Sequence, residues 1–226
     1  MVGFDQARSM GEAASSTALS NYKNTITNIK RLVGLSFTDP RAQEEMKKVA
    51  YKCVPYPHPG NGPDGIAVSV TLAGEQKILP IEAVAGMMVK HMGNVAAAKS
   101  AAASNCDPSE CLPRDWVVAI PGYYTDAQRR AFLAGCEMAG VKGVLRLMNE
   151  GTATALAYGI FKDIRKEFTK EKSTHVMFID MGATTYTVSI VDFLPGKLVV
   201  KSAQYDPDLG GRDFDRIIAE WLATKF

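Results

Sequence analysis

Phe178-Ile179-Asp180-Met181-Gly182-Ala183-Thr184-Thr185-Tyr186-Thr187-Val188-Ser189-Ile190 decides how the rest of the chain is read. An apolar run from His175 to Ile179 ends in the Asp180 carboxylate. Small and hydroxyl residues follow as a turn, and Tyr186, Val188 and Ile190 then alternate as in a second strand. Such a hairpin gathers backbone N–H groups and Thr hydroxyls at one point beside a carboxylate. Converging backbone donors suit a phosphate, and the carboxylate suits a Mg²⁺ carried with it. An ordinary hairpin with an Asp at its corner fits the same residues as well.

The sequence around this hairpin has room for one large domain or two small ones, at 226 residues. A net charge of +2 gives no electrostatic basis for a nucleic-acid or membrane partner. With 46% apolar and 22% charged residues the composition is that of a globular protein, and no apolar run is long enough to span a bilayer. Cys53, Cys106, Cys111 and Cys136 form no CxxC pair. The spacing of Cys106 and Cys111 would allow a closed loop, but reduced thiols in a cytoplasmic protein are expected. His58, His91 and His175 show no zinc-like spacing.

Upstream, Ile26, Ile29 and Val33 recur at helical spacing before Gly34, which predicts a helix near 21–33 with Lys30 and Arg31 on its less apolar side. Residues 53–63 read as a Pro/Gly loop, followed by strands at 66–72 and 76–79. Pro80 opens a long helix whose predicted face is Val84, Met88, His91 and Val95, with a polar loop at 104–113 beyond it. Trp116–Ile120 reads as a strand stopping at Pro121-Gly122. Thr125 and Gln128 form a capping box for a helix that ends at Gly140. Val144–Met148 is a further strand, and Glu150 opens a short helix ending at Gly159. The charged stretch 162–172 reads as a solvated connector. Three strands in meander order, 174–180, 185–193 and 197–204, precede a helix after Gly210-Gly211 that carries Phe214, Ile217, Ile218 and Trp221. The order αββα, βαβα, βββα makes an α/β architecture of two lobes meeting near 160–173.

The Thr25–Gly34 segment, Ala119 to Arg129, Asn149-Glu150 with Ala155–Gly159, the Asp180 hairpin and Leu209-Gly-Gly-Arg-Asp-Phe-Asp215 occur in this order. Together they resemble the nucleotide-binding domain of the 70-kDa heat-shock proteins, within the actin-like ATPase (ribonuclease H-like) superfamily. Ala183, Thr184 and Thr187 depart from the 70-kDa hairpin, which has glycines and an aspartate there. Those departures, with Asn28 and Tyr158-Gly-Ile-Phe-Lys162, look like the larger 110-kDa branch.

The resemblance implies a two-lobed α/β domain, incomplete at both ends. Residues 1–165 would be the first lobe (1–114 peripheral, 115–165 core), and 173–226 the start of the second. It implies ATP or ADP with Mg²⁺ as ligands. Lys30 would face the γ-phosphate and help orient the attacking water; read alone it is a surface lysine. Glu150 and Asp180 would hold Mg²⁺ mainly through water, although Glu150 also suits a helix start on its own. Gly182, Ala183, Thr184 and Thr185 would line the phosphates, with Thr185 also among the catalytic residues, and Gly210 and Gly211 would join them. Pro121, Tyr123 and Arg129 match positions that pass nucleotide state between domains. Gly151 replaces a switch proline. Side chains at 183 and 184 crowd the turn, so feeble hydrolysis is expected. A 70-kDa heat-shock protein is the implied partner, through nucleotide exchange. Unfolded clients would be held by domains that this chain lacks, and neither nucleic acid nor membrane is implied. A small-molecule kinase of the same superfamily and a non-catalytic chaperone-docking module remain as other readings.

Overall fold

Val2 and Phe4 are fully buried because the short strand that carries them, β1 (Val2–Phe4), lies in the middle of a sheet. Antiparallel neighbours flank it, β2 (Arg8–Met10) on one side and β3 (Thr25–Ile26) on the other. The computed structural model describes residues 1–58, 62–169 and 172–226. It divides into two compact units: Met1–Val117 with Tyr124–Arg146, and Val118–Tyr123 with Leu147–Phe226.

In the first unit the helix expected near 21–33 does not form. Ile26 is taken by β3 against Val2, Asn28 adopts a left-handed φ of 53°, and only a single 3-10 turn follows at Ile29–Arg31. The spacing of Ile26, Ile29 and Val33 reflects burial of an irregular segment. Tertiary pairing has overridden a local periodicity. Gly34 does adopt the left-handed φ, +69°, but it serves a close approach: a Cβ there would lie 2.6 Å from the Gln128 Cα. Its N–H donates to Glu82 Oε1, and Gln128 Nε2 donates to the Val33 carbonyl.

Residues 53–58, expected as loop, belong to strand β4 (Lys52–His58). It pairs with β5 (Gly62–Leu72), which pairs with β6 (Glu75–Pro80). The expected loop also covers 59–61, which lie outside the described residues. The β5–β6 turn is the two-residue Ala73-Gly74, both at positive φ, as the twist of a tight hairpin requires.

Between β2 and β3 stands a short helix, α1 (Glu12–Ser16), and before β4 another, α2 (Pro40–Met46). The long helix α3 (Ile81–Ser104) forms as expected, with Pro80 as its N-cap; of the expected face Val84 is buried and Met88 and His91 are half-buried. Glu82, Gly86, Val89, Gly93 and Ala97 face inward while Val95 is exposed. Gly86 is small because α4 (Asp126–Met138) crosses in near backbone contact, whereas Gly93 makes room for the Trp116 ring. A Cβ on Gly86 would lie 1.9 Å from the Gly135 carbonyl oxygen. The Thr125/Gln128 capping box forms. Cys106 and Cys111, expected as thiols, are joined by a disulfide after α3.

Strand β7 (Trp116–Ile120) pairs with β8 (Val144–Asn149), and α5 (Glu150–Ile164) follows. The helix runs past Gly159, its expected end. That glycine is a notch, since a Cβ would lie 2.8 Å from the Phe193 ring. The expected 162–172 connector is thus helical to Ile164; residues 170–171 lie outside the described residues. In the second unit β9 (Thr174–Met181), β10 (Tyr186–Leu194) and β11 (Lys197–Asp206) form the antiparallel meander that the sequence predicts. Its core gathers Ala155, Val191 and Phe193 with Tyr158, Phe168, Val176, Phe178 and Leu198. The last helix, α6 (Gly211–Ala223), leaves Phe214, Ile217, Ile218 and Trp221 each more than half exposed.

Candidate phosphate and magnesium site

Strand alternation places the acidic corner. Phe178 and Val176 point into the second unit's core, so Asp180, two residues on, shares their face of the sheet. Thr187 is paired directly opposite Asp180, and Tyr205 opposite Thr187, making one row across the three strands. The next row inward is Phe178, Ser189 and Ala203. Gly151, in the first turn of α5, lies over Ser189: a Cβ there would be 3.3 Å from its Oγ. Its neighbour Glu150, the first residue of α5, thus starts a helix that opens over the row next to that of Asp180. The helix N-terminus also favours the Glu150 carboxylate electrostatically. Gly122 lies over Tyr205, whose hydroxyl is 2.1 Å from where a Cβ would stand, and the Tyr123 ring meets Tyr205 edge-on. The sequence marked Gly122 only as a strand stop; nothing local signalled its ring partner.

The hairpin turn between β9 and β10 is residues 182–185, closed by the Gly182 N–H donating to the Thr185 carbonyl (2.9 Å). Its backbone is clamped from behind by α6. The Gly211 N–H donates to the Gly182 carbonyl and the Arg212 N–H to the Ala183 carbonyl, both at 2.9 Å. Across a planar trans peptide the carbonyl and the following N–H point opposite ways. With the carbonyls of 182 and 183 turned toward α6, the N–H groups of Ala183 and Thr184 are turned away from it. Neither has an acceptor among the described residues. Two successive outward amides form a small concavity suited to an anion.

Gly210 and Gly211 back the turn. The Gly211 amide is engaged by Gly182, and the Gly210 amide by the Asp213 carboxylate (2.9 Å), which caps α6. The Gly-Gly-Arg-Asp spacing carries that cap in the sequence, but the clamp on the turn is visible only in three dimensions.

Lys30 stands in the first unit, exposed on the 3-10 turn Ile29–Arg31. Its carbonyl accepts from the hydroxyl of buried Tyr124 (2.7 Å), which fixes the backbone beneath the side chain. Arg129, also in the first unit, donates through Nε to the Tyr124 carbonyl (3.1 Å). Pro121 and Tyr123 belong to the second unit.

As a donor set for a cation, Glu150 and Asp180 supply hard carboxylate oxygens. Among the described residues no three His, Cys, Asp or Glu side chains cluster as a metal cage. That chemistry fits a Mg²⁺ that keeps most of its waters, and does not fit zinc.

The whole chain, residues 1–226, matches the family described as Hsp70 protein. It is 38% identical over 221 residues to human heat shock 70 kDa protein 4L, covering 98% of this chain and 24% of that protein. The 97 kDa heat shock protein of Strongylocentrotus purpuratus is 37% identical over 223 residues, 98% of this chain and 23% of its own length. Heat shock 70 kDa protein 14 of Arabidopsis thaliana is 36% identical over 223 residues, with 98% and 24% covered. The chain thus spans about a quarter of the length of these relatives. An unbroken family match, relatives aligned along nearly the whole chain at 36–38% identity and a mixed α/β architecture agree: the chain belongs to the Hsp70 family, with its actin-like ATPase fold.

Proposed function

We propose that Glu150, Asp180 and residues 182–185 form the phosphate and magnesium end of an ATP-binding site, in the ATPase portion of a chaperone of the 110-kDa heat-shock type. The outward pair of amides at Ala183 and Thr184, on a turn clamped by α6 next to the strand end that carries Asp180, is the observation that carries this reading, with Glu150 at the start of α5 proposed as the second carboxylate. Bound Mg²⁺ would neutralise phosphate charge, with Glu150 and Asp180 holding its waters. Thr185 closes the turn through its carbonyl and leaves its hydroxyl for the phosphates. Gly210 and Gly211 act by fixing the turn. The role of Lys30 toward a γ-phosphate rests on the family resemblance alone, as does the lobe division at 165 and 173. The Ala183 and Thr184 side chains narrow the approach to the turn, which supports weak hydrolysis. Nucleotide exchange on a 70-kDa partner, unfolded clients, a stress-response role and a cytoplasmic location are part of the same proposal. It is supported by the heat-shock names of the relatives and, for the larger branch, by the 97 kDa protein among them.

Amide NMR of the chain titrated with Mg·ATP, and with magnesium triphosphate, tests the site. The Ala183 and Thr184 amides should shift most, and Asp180→Asn with Glu150→Gln should remove the magnesium dependence. Shifts that bypass residues 182–185 would refute the assignment.

A further inference from the structure

The four cysteines fall into two pairs with opposite surroundings. Cys136 is buried and Cys53 half-buried, and desolvation pushes both thiols up to about 11. Cys106 and Cys111 lie half-buried on the connection between α3 and β7 and share a disulfide. The backbone brings them together by bonds of its own. Cys106 follows Asn105, whose left-handed φ of 53° ends α3, and its N–H donates to the Ala101 carbonyl (3.3 Å). Asp107 then turns the chain, its Oδ1 accepting from the Ser109 N–H (2.8 Å) and hydroxyl (2.6 Å). The Glu110 N–H donates to the Asp107 carbonyl (3.0 Å), and the Cys111 N–H to the Pro108 carbonyl (3.2 Å). None of these bonds depends on the oxidation state of sulfur. These bonds hold the two cysteines close in sequence and space, but their Cα atoms stand 7.3 Å apart, at the far edge of what a disulfide spans, so making or breaking the bridge shifts the local backbone.

We propose that Cys106 and Cys111 are a reversible redox modification site, a dithiol–disulfide couple that sets the order of the α3 C-terminus and the 104–113 loop. In the oxidising direction one cysteine thiolate attacks a small-molecule disulfide such as oxidised glutathione and expels one thiolate. The second cysteine, deprotonated in turn, attacks the mixed disulfide and expels the other. Two cysteine thiols lose two protons and two electrons, and the small disulfide becomes two thiols. Reduction runs the same steps backward. Cys53 and Cys136 do not compete, because the reactive species is the thiolate and burial suppresses it in both. The reduced pair expected of a cytoplasmic protein and the bridged pair in the structure are then two states of one couple.

The full chain, equilibrated across graded ratios of reduced and oxidised glutathione, trapped in acid and mapped without reduction, tests the proposal. The expected result is an intramolecular Cys106–Cys111 link that titrates reversibly while Cys53 and Cys136 stay thiols. Amide hydrogen exchange over residues 97–111 should slow by about threefold or more on oxidation, with residues 126–138 unchanged. Cys111→Ser, and independently Cys106→Ser, should abolish that redox dependence. Mixed glutathione adducts that never resolve to the link, a link reaching Cys53 or Cys136, or exchange rates indifferent to the couple would each overturn it.

Discussion

Replacing Gly210 by alanine should pry the phosphate turn off its support. Gly210 has φ −170° and ψ −177°, an extended conformation open to any residue, so alanine meets no backbone penalty there. The obstacle is space. A Cβ would stand 2.6 Å from the Thr184 N and 2.7 Å from the Ala183 carbonyl carbon and oxygen, all backbone atoms that no side-chain rotation can move. Restoring the ordinary contact of 3.4 Å requires the turn to recede by about 0.8 Å. The 2.9 Å bonds from Gly211 and Arg212 to the turn carbonyls would then stretch to about 3.7 Å, beyond hydrogen-bonding reach. Two bonds at about 1 kcal/mol each, with about 1–2 kcal/mol of residual overpacking, give a destabilisation of about 3–4 kcal/mol. Urea unfolding of Gly210→Ala against the parent measures this. Gly182→Ala, whose Cβ would meet only the Thr185 carbonyl oxygen at 3.5 Å and its hydroxyl at 3.6 Å, serves as the control and should cost under about 1 kcal/mol. Magnesium-triphosphate shifts at residues 183 and 184 should weaken in Gly210→Ala, since the amides lose their fixed direction. A Gly210→Ala protein within about 0.5 kcal/mol of the parent, binding phosphates as the parent does, would refute the clamp.

At the α3–α4 crossing, Gly86→Ala drives a Cβ to 1.9 Å from the Gly135 carbonyl and should cost at least about 3 kcal/mol, read as a lowered melting temperature; an unchanged melt would contradict the close crossing. Burial pushes the Asp192 carboxyl up, but the Ser173 hydroxyl, His175 and Lys201 outweigh it and hold the group below its ordinary 3.8. Folding therefore favours the ionised form. Its stabilisation is complete above the unfolded value and is lost as pH falls through the lower folded value, so Asp192→Asn should flatten the decline in stability below about pH 4. Matching acid limbs in variant and parent would count against the Asp192 network. Thiols pushed to about 11 carry little thiolate at pH 8, so Cys53 and Cys136 should react with a disulfide reagent about a hundredfold slower than a free thiol until the protein is unfolded. Prompt labelling of either in the native protein would disprove their burial.

Where structure follows local spacing, the sequence alone was enough. Tyr186, Val188 and Ile190 alternate along a strand, Thr125 and Gln128 cap a helix three residues apart, and Pro195-Gly196 turns one strand into the next. Those periods and turn residues act within a few positions, and the ordered family blocks ride on them. The segment 21–34 could not be read this way. Whether Ile26 joins a helix or a strand depends on Val2, and the place of Gly34 depends on Gln128, partners far away in the chain. Gly159 looked like a helix end because its purpose, a notch for the Phe193 ring, lies on another element. The site divides along the same line. Asp180 and the small residues after it were legible as a turn beside a carboxylate. That Ala183 and Thr184 turn their amides outward was decided by the α6 amides behind them, a long-range bond pattern with no local period to announce it.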